Sequence, residues 1–151
     1  MNLCAYLAAI FFYFSVSFAF ANQLKSFESD GCTMFANGTI SQPNLWKHCC
    51  FEHDLRYWFG GSNGDVDASD LELRACVKQV AGQSWANLIY NGVRAGHSSP
   101  VKSKYVWSWG WDPVRDLSPL STEEIDYVRG ELFKLPLDSN FRDEFIQKYL
   151  R

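Results

Sequence analysis

Residues 48–57 read His-Cys-Cys-Phe-Glu-His-Asp-Leu-Arg-Tyr, and this stretch decides the fold of the chain. On a helix, side chains four positions apart share a face, so Cys49, His53 and Tyr57 form one stripe. Asp54 lies on the neighbouring stripe. A neutral imidazole can take a proton from water near pH 7, and a carboxylate beside it can bind a hard cation. The stretch therefore predicts a helix that carries a metal-assisted hydrolytic site.

The segment from Cys49 to Tyr57 resembles the Cys-Cys-x-x-His-Asp-x-x-Tyr active-site helix of secreted phospholipase A2. The resemblance implies a mainly α fold, in which a disulfide-linked antiparallel helix pair of phospholipase A2 type is joined here by additional C-terminal helices. It also implies calcium (Ca²⁺) as the cofactor and the acyl ester of a glycerophospholipid as the substrate. The family's roles fall on His53 as the base, Asp54 as a calcium ligand, and Tyr57 and Asp70 as supports of the base.

The first 21 residues carry no charged side chain and end in Ala-Phe-Ala, an A-x-A cleavage pattern. This composition is typical of a secretory signal peptide, so we expect residues 1–21 to be removed. Residues 22–151 would then form a single domain, with its motif core at 30–76 and an additional region from about 94 to 151. The alternative is an uncleaved membrane anchor. The expected location is secreted or periplasmic.

The charge balance limits the class of partner. Fourteen basic and 17 acidic residues give a formal net charge of −3, and the basic residues form no run. This pattern argues against a nucleic-acid partner. The partner that the resemblance implies is a phospholipid membrane surface, and we expect the protein itself to be a monomer.

Four cysteines remain beyond the predicted signal peptide: Cys32, Cys49, Cys50 and Cys76. In an exported chain they most simply form two disulfides, with three possible connectivities. Helix geometry opposes a bond between the neighbours Cys49 and Cys50, so two connectivities remain. A structural zinc site that uses the cysteines with His48 and His53 is an alternative, although an oxidising compartment favours disulfides.

Asp70 lies on the apolar stripe of the second predicted helix, where an unpaired carboxylate would carry a desolvation cost of several kcal/mol. If the two helices are antiparallel and Cys49 is bonded to Cys76, Asp70 and His53 lie on the same side of that bond. Asp70 can then accept the ring N–H of His53 and leave the other ring nitrogen for the substrate water.

In that connectivity Cys32 is bonded to Cys50, one turn before Asp54, and the disulfide would hold the loop of residues 30–38 beside the carboxylate. Loop oxygens could complete a calcium site there. The candidate loop ligands are Asp30, Gly31, Thr33 and Gly38. The sequence departs from the family because closely spaced glycines do not follow Cys32, and because Arg56 replaces the cysteine usual before the motif tyrosine.

Periodicity and capping signals predict helices at about 43–58, 66–81, 84–93, 121–133 and 139–150. Between the third and fourth, residues 105–111 alternate with Trp107, Trp109 and Trp111, which predicts an extended segment with the indoles on one side. This stripe belongs to the core or, alternatively, faces lipid. The alternative function for the same scaffold is a catalytically inactive module that binds lipid or protein and keeps the same disulfides.

Overall fold

The computed structural model describes residues 23–100 and 103–151, with the exception of the Ser98 side chain. The predicted signal peptide lies outside the described residues. The fold is mainly helical, with one short antiparallel strand pair. The elements in chain order are β1 (Gln23–Leu24), α1 (Lys47–Phe59), α2 (Asn63–Ala81), α3 (Gln83–Ser98), β2 (Trp111–Asp112), α4 (Thr122–Lys134) and α5 (Ser139–Tyr149). Within the described ranges, every helix falls short of the length or the apolar character that crossing a bilayer requires.

Helix α1 begins at Lys47, so the predicted start at residue 43 is about one turn too early. Trp46 explains the difference. Its backbone N–H donates to the carbonyl of Asn37 at 3.0 Å, and its indole N–H donates to the carbonyl of Ala36 at 2.7 Å. Because these bonds run to the preceding loop, the chain before Lys47 forms turns instead of a helix.

Helix α2 begins at Asn63, about one turn before the predicted start. Ser62 and Asp65 form a capping box, in which each side chain accepts the backbone N–H of the other residue. Helices α1 and α2 run antiparallel, because rising positions on α1 contact falling positions on α2. The contacts are Cys49 with Cys76, His53 with Asp70, and Arg56 with Asp65.

Helix α3 follows α2 after a single residue, Gly82, whose φ of +83° is a left-handed conformation that glycine adopts without penalty. The tight connection returns the chain along α2. Helix α3 continues to Ser98, beyond the predicted end at Val93. The additional turn brings Arg94 into contact with α2.

The tryptophan segment is a turn at residues 107–110, so the prediction of an extended segment is wrong. The turn closes the C-terminal end of α1, where the last carbonyls have no partners within the helix. Trp111 is buried and Trp107 and Trp109 are half-buried, which favours the core over the lipid-facing interpretation. The contacts are Ser108 N–H to Tyr57 O at 2.8 Å, Gly110 N–H to Trp58 O at 2.9 Å, Trp107 indole to Gly61 O at 3.0 Å and Trp111 indole to Phe59 O at 2.7 Å.

The buried apolar side chains form two clusters, and α1 contributes to both. The first, which we call the disulfide core, consists of Cys32, Trp46, Cys49, Cys50, Leu73, Val77, Ala86 and Ile89. The second, which we call the aromatic core, consists of Leu55, Trp58, Phe59, Trp111, Val128, Leu132, Phe145 and Leu150. The helices of the aromatic core, α4 and α5, agree with their predicted bounds to within one residue.

Candidate functional site

His53 and Asp70 meet across the interface between α1 and α2, as the sequence predicts. The Nε2 atom of His53 lies 3.0 Å from Asp70 Oδ1. The His53 side chain is 10% exposed and that of Asp70 is fully buried. A carboxylate only accepts hydrogen bonds, so we assign the proton of the neutral imidazole to Nε2 and the lone pair to Nδ1. The pair therefore presents Nδ1 as a base.

Tyr57 supports the same carboxylate from one turn further along α1. Its hydroxyl oxygen lies 2.7 Å from Asp70 Oδ1 and 2.6 Å from Nε2 of His97. The single hydroxyl proton goes to the carboxylate, so His97 donates its own N–H to Tyr57. Burial, the negative charge of Asp70 and the hydrogen bond raise the pKa of Tyr57 well above its usual value, and the phenol stays neutral.

Arg94 of α3 is the third donor to Asp70. Its Nη1 atom lies 3.0 Å from Asp70 Oδ2 and 2.6 Å from Oδ1 of Asp67. Burial alone would raise the pKa of Asp70, but the three hydrogen-bond donors outweigh this and lower it below the usual range. Asp70 is therefore ionised at neutral pH although no part of it reaches solvent.

Sequence reasoning missed Arg94 and His97, because both lie beyond the predicted end of the third helix at Val93. Their spacing is the signal that could have found them. Residues three positions apart lie on one face if the helix continues. A cation and an imidazole on that face are suitable partners for the buried carboxylate that the sequence had already placed on α2.

The disulfides join Cys32 to Cys50 and Cys49 to Cys76, which is the one of the two remaining connectivities that the placement of Asp70 beside His53 required. Their Cα–Cα distances are 5.1 and 5.7 Å, within the usual range. The first bond ties the loop before α1 to the start of that helix. The second ties α1 to α2, one turn before His53.

The disulfides also exclude a zinc site in one group of neighbouring side chains. Ligand atoms of His48, Cys49 and Cys76 lie within 4.8 Å of one another. Zinc binds cysteine as a thiolate, however, and these two sulfur atoms are bonded to each other. The oxidised protein therefore offers no zinc site in this group, which also lacks the oxygen ligands that calcium prefers.

Asp54 is buried where α1 meets the preceding loop. Its Oδ2 atom accepts a hydrogen bond of 2.5 Å from the hydroxyl of Ser29. Burial raises the pKa of Asp54 from 3.8 to about 7, with the Ser29 bond acting in the opposite direction and the negative charge of Asp30 adding to the rise. The Ser29 hydrogen bond thus offsets only part of the cost of burying charged Asp54, and a cation at this position would stabilise the charged form further.

Two of the four predicted loop ligands, Asp30 and Gly31, are linked to this carboxylate by charge or through Ser29. Asp30 is near enough to raise the pKa of Asp54. Gly31 has a φ of +79°, and its N–H donates to the Ser29 hydroxyl at 3.1 Å. The turn at Gly31 therefore positions the hydroxyl that contacts Asp54.

The other two predicted loop ligands have different contacts. The Thr33 hydroxyl donates to Asp30 Oδ1 at 2.9 Å. Gly38 packs against the backbone of residues 42–45 so closely that a Cβ atom would have no room. In the ranges that the structure describes, no hydrogen bond joins Thr33 or Gly38 to Asp54.

The donor chemistry around Asp54 fits a calcium ion. The negative charge of the Asp30 carboxylate acts on Asp54, and Ser29 adds a hydroxyl. Backbone carbonyls of the same loop are further donors of the hard oxygen type that calcium takes. A buried acid with a raised pKa costs stability when it is charged, and a bound cation would remove that cost.

A cavity of about 260 Å³ lies between α1, α2 and α5, and His53 lines it. Arg56 and Ser69 form the buried polar part of its wall. Within the described residues, Arg56 Nε and Ser69 Oγ have no hydrogen-bond partner, so the cavity has polar atoms for water or a polar ligand. Asp54 is not in this wall and contacts the loop through Ser29 instead.

Helix α5 covers one end of this cavity. The Tyr149 hydroxyl lies 2.7 Å from Glu52 Oε1 and also contacts Glu72. Lys148 Nζ lies 3.3 Å from the same Glu52 oxygen. The last turn of α5 thus joins α1 to α2 at the end of the cavity.

The chain matches no protein-family model, no curated protein and no solved structure. A functional conclusion therefore rests on the geometry and chemistry of the site itself.

Proposed function

We propose that this protein is a secreted, calcium-dependent ester hydrolase similar to phospholipase A2, which cleaves an acyl ester of a glycerophospholipid. One observation carries the proposal. His53 is paired through Nε2 at 3.0 Å with the fully buried Asp70 carboxylate, which Tyr57 also contacts. This arrangement is suited to a general base, because the carboxylate orients the imidazole and stabilises the imidazolium that forms.

In the proposed reaction, Nδ1 of His53 takes a proton from water as the water oxygen bonds to the ester carbonyl carbon. The Nε2–H stays hydrogen-bonded to Asp70, which offsets the new positive charge. When the C–O bond to the glycerol breaks, His53 returns the proton to the leaving alcohol oxygen. Water has then added across the ester, and the base is restored.

Asp54 and Asp30 are the carboxylates that would hold calcium in this proposal, with carbonyls of the loop that contains Gly31, Thr33 and Gly38 as further ligands. A bound calcium ion supplies positive charge that stabilises oxygen atoms on which negative charge develops. The Cys32–Cys50 disulfide supports this assignment, because it ties the loop to α1 four residues before Asp54. The two disulfides are also compatible with a secreted protein.

The proposal predicts calcium-dependent release of fatty acid from phosphatidylcholine vesicles by the purified protein. We expect His53→Gln to lower kcat by about 100-fold or more, because the base is lost. His48→Gln is the matched control, since His48 lies on the same helix, is exposed, and makes no contact with Asp70 in the described structure. The proposal fails if wild-type protein releases no fatty acid, or if both histidine variants behave alike.

The second candidate is a catalytically inactive module that binds lipid or protein. The state of Asp54 favours it, because a carboxyl group bonded to Ser29 with a pKa of about 7 is partly protonated at neutral pH. Calorimetric titration of wild type and Asp54→Asn with calcium separates the two candidates. Binding that Asp54→Asn abolishes supports the hydrolase, whereas vesicle binding without calcium affinity or fatty-acid release supports the module.

A further inference from the structure

The His53–Asp70 pair is supported by α3 as well as by α1 and α2. Oδ1 of Asp70 accepts hydrogen bonds from His53 and Tyr57, and Oδ2 accepts one from Arg94. Both oxygens of the carboxylate are therefore held, and by different helices. A carboxylate held at both ends cannot rotate about its terminal bond without breaking a hydrogen bond. The direction of the Oδ1 lone pairs toward His53 thus depends on the contact at Oδ2.

Arg94 supplies the positive charge that compensates the buried Asp70 carboxylate. The groups that face the carboxylate are His53 and Tyr57 from α1, Asp67 from its own helix, and Arg94 and His97 from α3. Among these described groups, the guanidinium is the one cation that does not depend on pH. Asp67 adds a second negative charge that Arg94 also contacts. Without Arg94 the buried carboxylate would lose its compensating charge and one of its three donors.

We propose that Arg94 is a positioning residue of the hydrolytic site: it holds the Asp70 carboxylate so that Oδ1 stays aligned with His53 and Tyr57. The inference rests on the proposed function as far as catalysis is concerned. Arg94 does not touch the substrate in this proposal and acts through Asp70. Its neighbour His97 acts in the same direction, because a donated N–H at the Tyr57 oxygen strengthens the bond from Tyr57 to Asp70.

The first test compares the rates of three variants on phosphatidylcholine vesicles with calcium. We expect Arg94→Gln to lower kcat by about 10- to 100-fold with little change in KM, the range found for residues that orient the ligands of a catalytic metal. Arg94→Lys should be intermediate, because it keeps the charge but not the planar fork. The control is Arg74→Gln, since Arg74 links α2 to α3 through Asn87 at 2.7 Å and does not contact Asp70 in the described structure. An equal loss in the Arg74 variant would overturn the proposal.

The second test needs no catalytic activity. A ring N–H that donates to a carboxylate gives a low-field proton resonance, and the signal of His53 is assigned by its absence in His53→Gln. We expect Arg94→Gln to shift this resonance upfield or broaden it, and Arg74→Gln to leave it unchanged. If wild type hydrolyses no ester but its resonance depends on Arg94, the hydrolase proposal fails and the positioning role stands.

Wild-type kcat and a wild-type resonance in folded Arg94→Gln would overturn the positioning role. If Arg94→Gln does not fold, Arg94→Lys decides the question by the same two measurements. A reduced kcat together with a shifted resonance in Arg94→Lys supports the role. Wild-type values in that variant reject it.

Discussion

The disulfide core and the aromatic core share α1 but are stabilised by different interactions. The disulfide core contains Cys32, Cys49 and Cys50, has Cys76 packed against it, and includes only one large aromatic side chain, Trp46. The aromatic core contains no cysteine and is filled by Trp58, Phe59, Trp111 and Phe145 together with aliphatic side chains. Covalent bonds thus contribute to the stability of the first cluster, whereas the second depends on buried apolar area alone.

The two buried carboxylates also lie on the helices that a disulfide joins. Asp54 and Asp70 lie on the helices that the cystines join, and burial of charged groups costs stability even when they are paired. Disulfides offset such costs by restricting the unfolded chain. The aromatic core has no carboxylate among its buried residues and needs no covalent bond. The buried carboxylates and the disulfides therefore lie on the same pair of helices.

The largest expected effect concerns Asp54. With calcium removed, the free energy of unfolding should fall as the pH rises from about 4 to 7, because native Asp54 keeps its proton up to about pH 7 and the unfolded group releases it near 3.8. The rise in the pKa of Asp54 from 3.8 to about 7 corresponds to a change of about 4 kcal/mol in the free energy of unfolding, since each pKa unit is worth about 1.36 kcal/mol. Urea unfolding of wild type and Asp54→Asn across this range measures the effect as the difference between the two curves.

Both proteins contain Asp70, so its contribution to the pH dependence cancels when one stability curve is subtracted from the other. The lowered pKa of Asp70 acts in the opposite direction, since the stability that it provides is lost as the pH falls through its native pKa. If Asp54 binds calcium as proposed, saturating calcium should flatten the wild-type curve, because the cation would stabilise the charged form of Asp54. Parallel curves for the two proteins without calcium would contradict the assignment.

Removal of the α1–α2 disulfide should have the next largest effect. Cys49→Ala combined with Cys76→Ala opens a loop with a sequence separation of 27, for which chain entropy gives a loss of about 3.5 kcal/mol. We also expect kcat to fall under conditions where the double variant is folded, because this bond sets the distance between His53 and Asp70. Denaturant unfolding and the vesicle assay check the two parts. If the double variant is as stable as wild type, the disulfide core does not depend on its covalent bonds and the contrast with the aromatic core fails.

A substitution in the aromatic core should affect stability alone. Leu132 is fully buried in α4, and Leu132→Ala should cost about 3 kcal/mol through lost apolar contacts and the cavity that remains. The rate per folded molecule should stay at the wild-type value, because Leu132 belongs to the aromatic core and not to the His53–Asp70 network. The measurements are denaturant unfolding and the vesicle assay at a temperature where the variant is folded. A large fall in kcat would show that the two cores are coupled.

The smallest expected effect is the loss of a helix cap, and it can be compared between α2 and α4. Ser62 caps α2 and Ser121 caps α4, each in a capping box with an acidic residue at the third helical position. Substitution of either serine by alanine should cost about 1 kcal/mol, because one orphan N–H loses its acceptor. Denaturant midpoints of the two variants give the comparison. A clearly larger loss for Ser62→Ala would indicate that its contact with Asp65 also supports the neighbouring Arg56.

Much of the fold follows from local sequence patterns. The bounds of α4 and α5 agree with prediction because their starts depend on Ser121 and Asp138, whose side chains accept N–H groups a few residues ahead. The start of α1 does not follow from local signals, because Trp46 donates to a loop about ten residues earlier. The tryptophan turn is similar, since it forms around carbonyls at the end of α1 that lie about fifty residues before it.

The sequence by itself determined the mainly helical class and the set of cysteines from which the disulfides form, because these depend on helical periodicity and on composition. It predicted the contact between His53 and Asp70 only for antiparallel helices joined by Cys49 and Cys76. Only the tertiary structure decided the surroundings of the two buried carboxylates. Ser29 reaches Asp54 from the preceding loop, and Arg94 reaches Asp70 from α3. The charge state of a buried acid depends on every group within a few ångströms, and such neighbours come from segments that are distant in the chain.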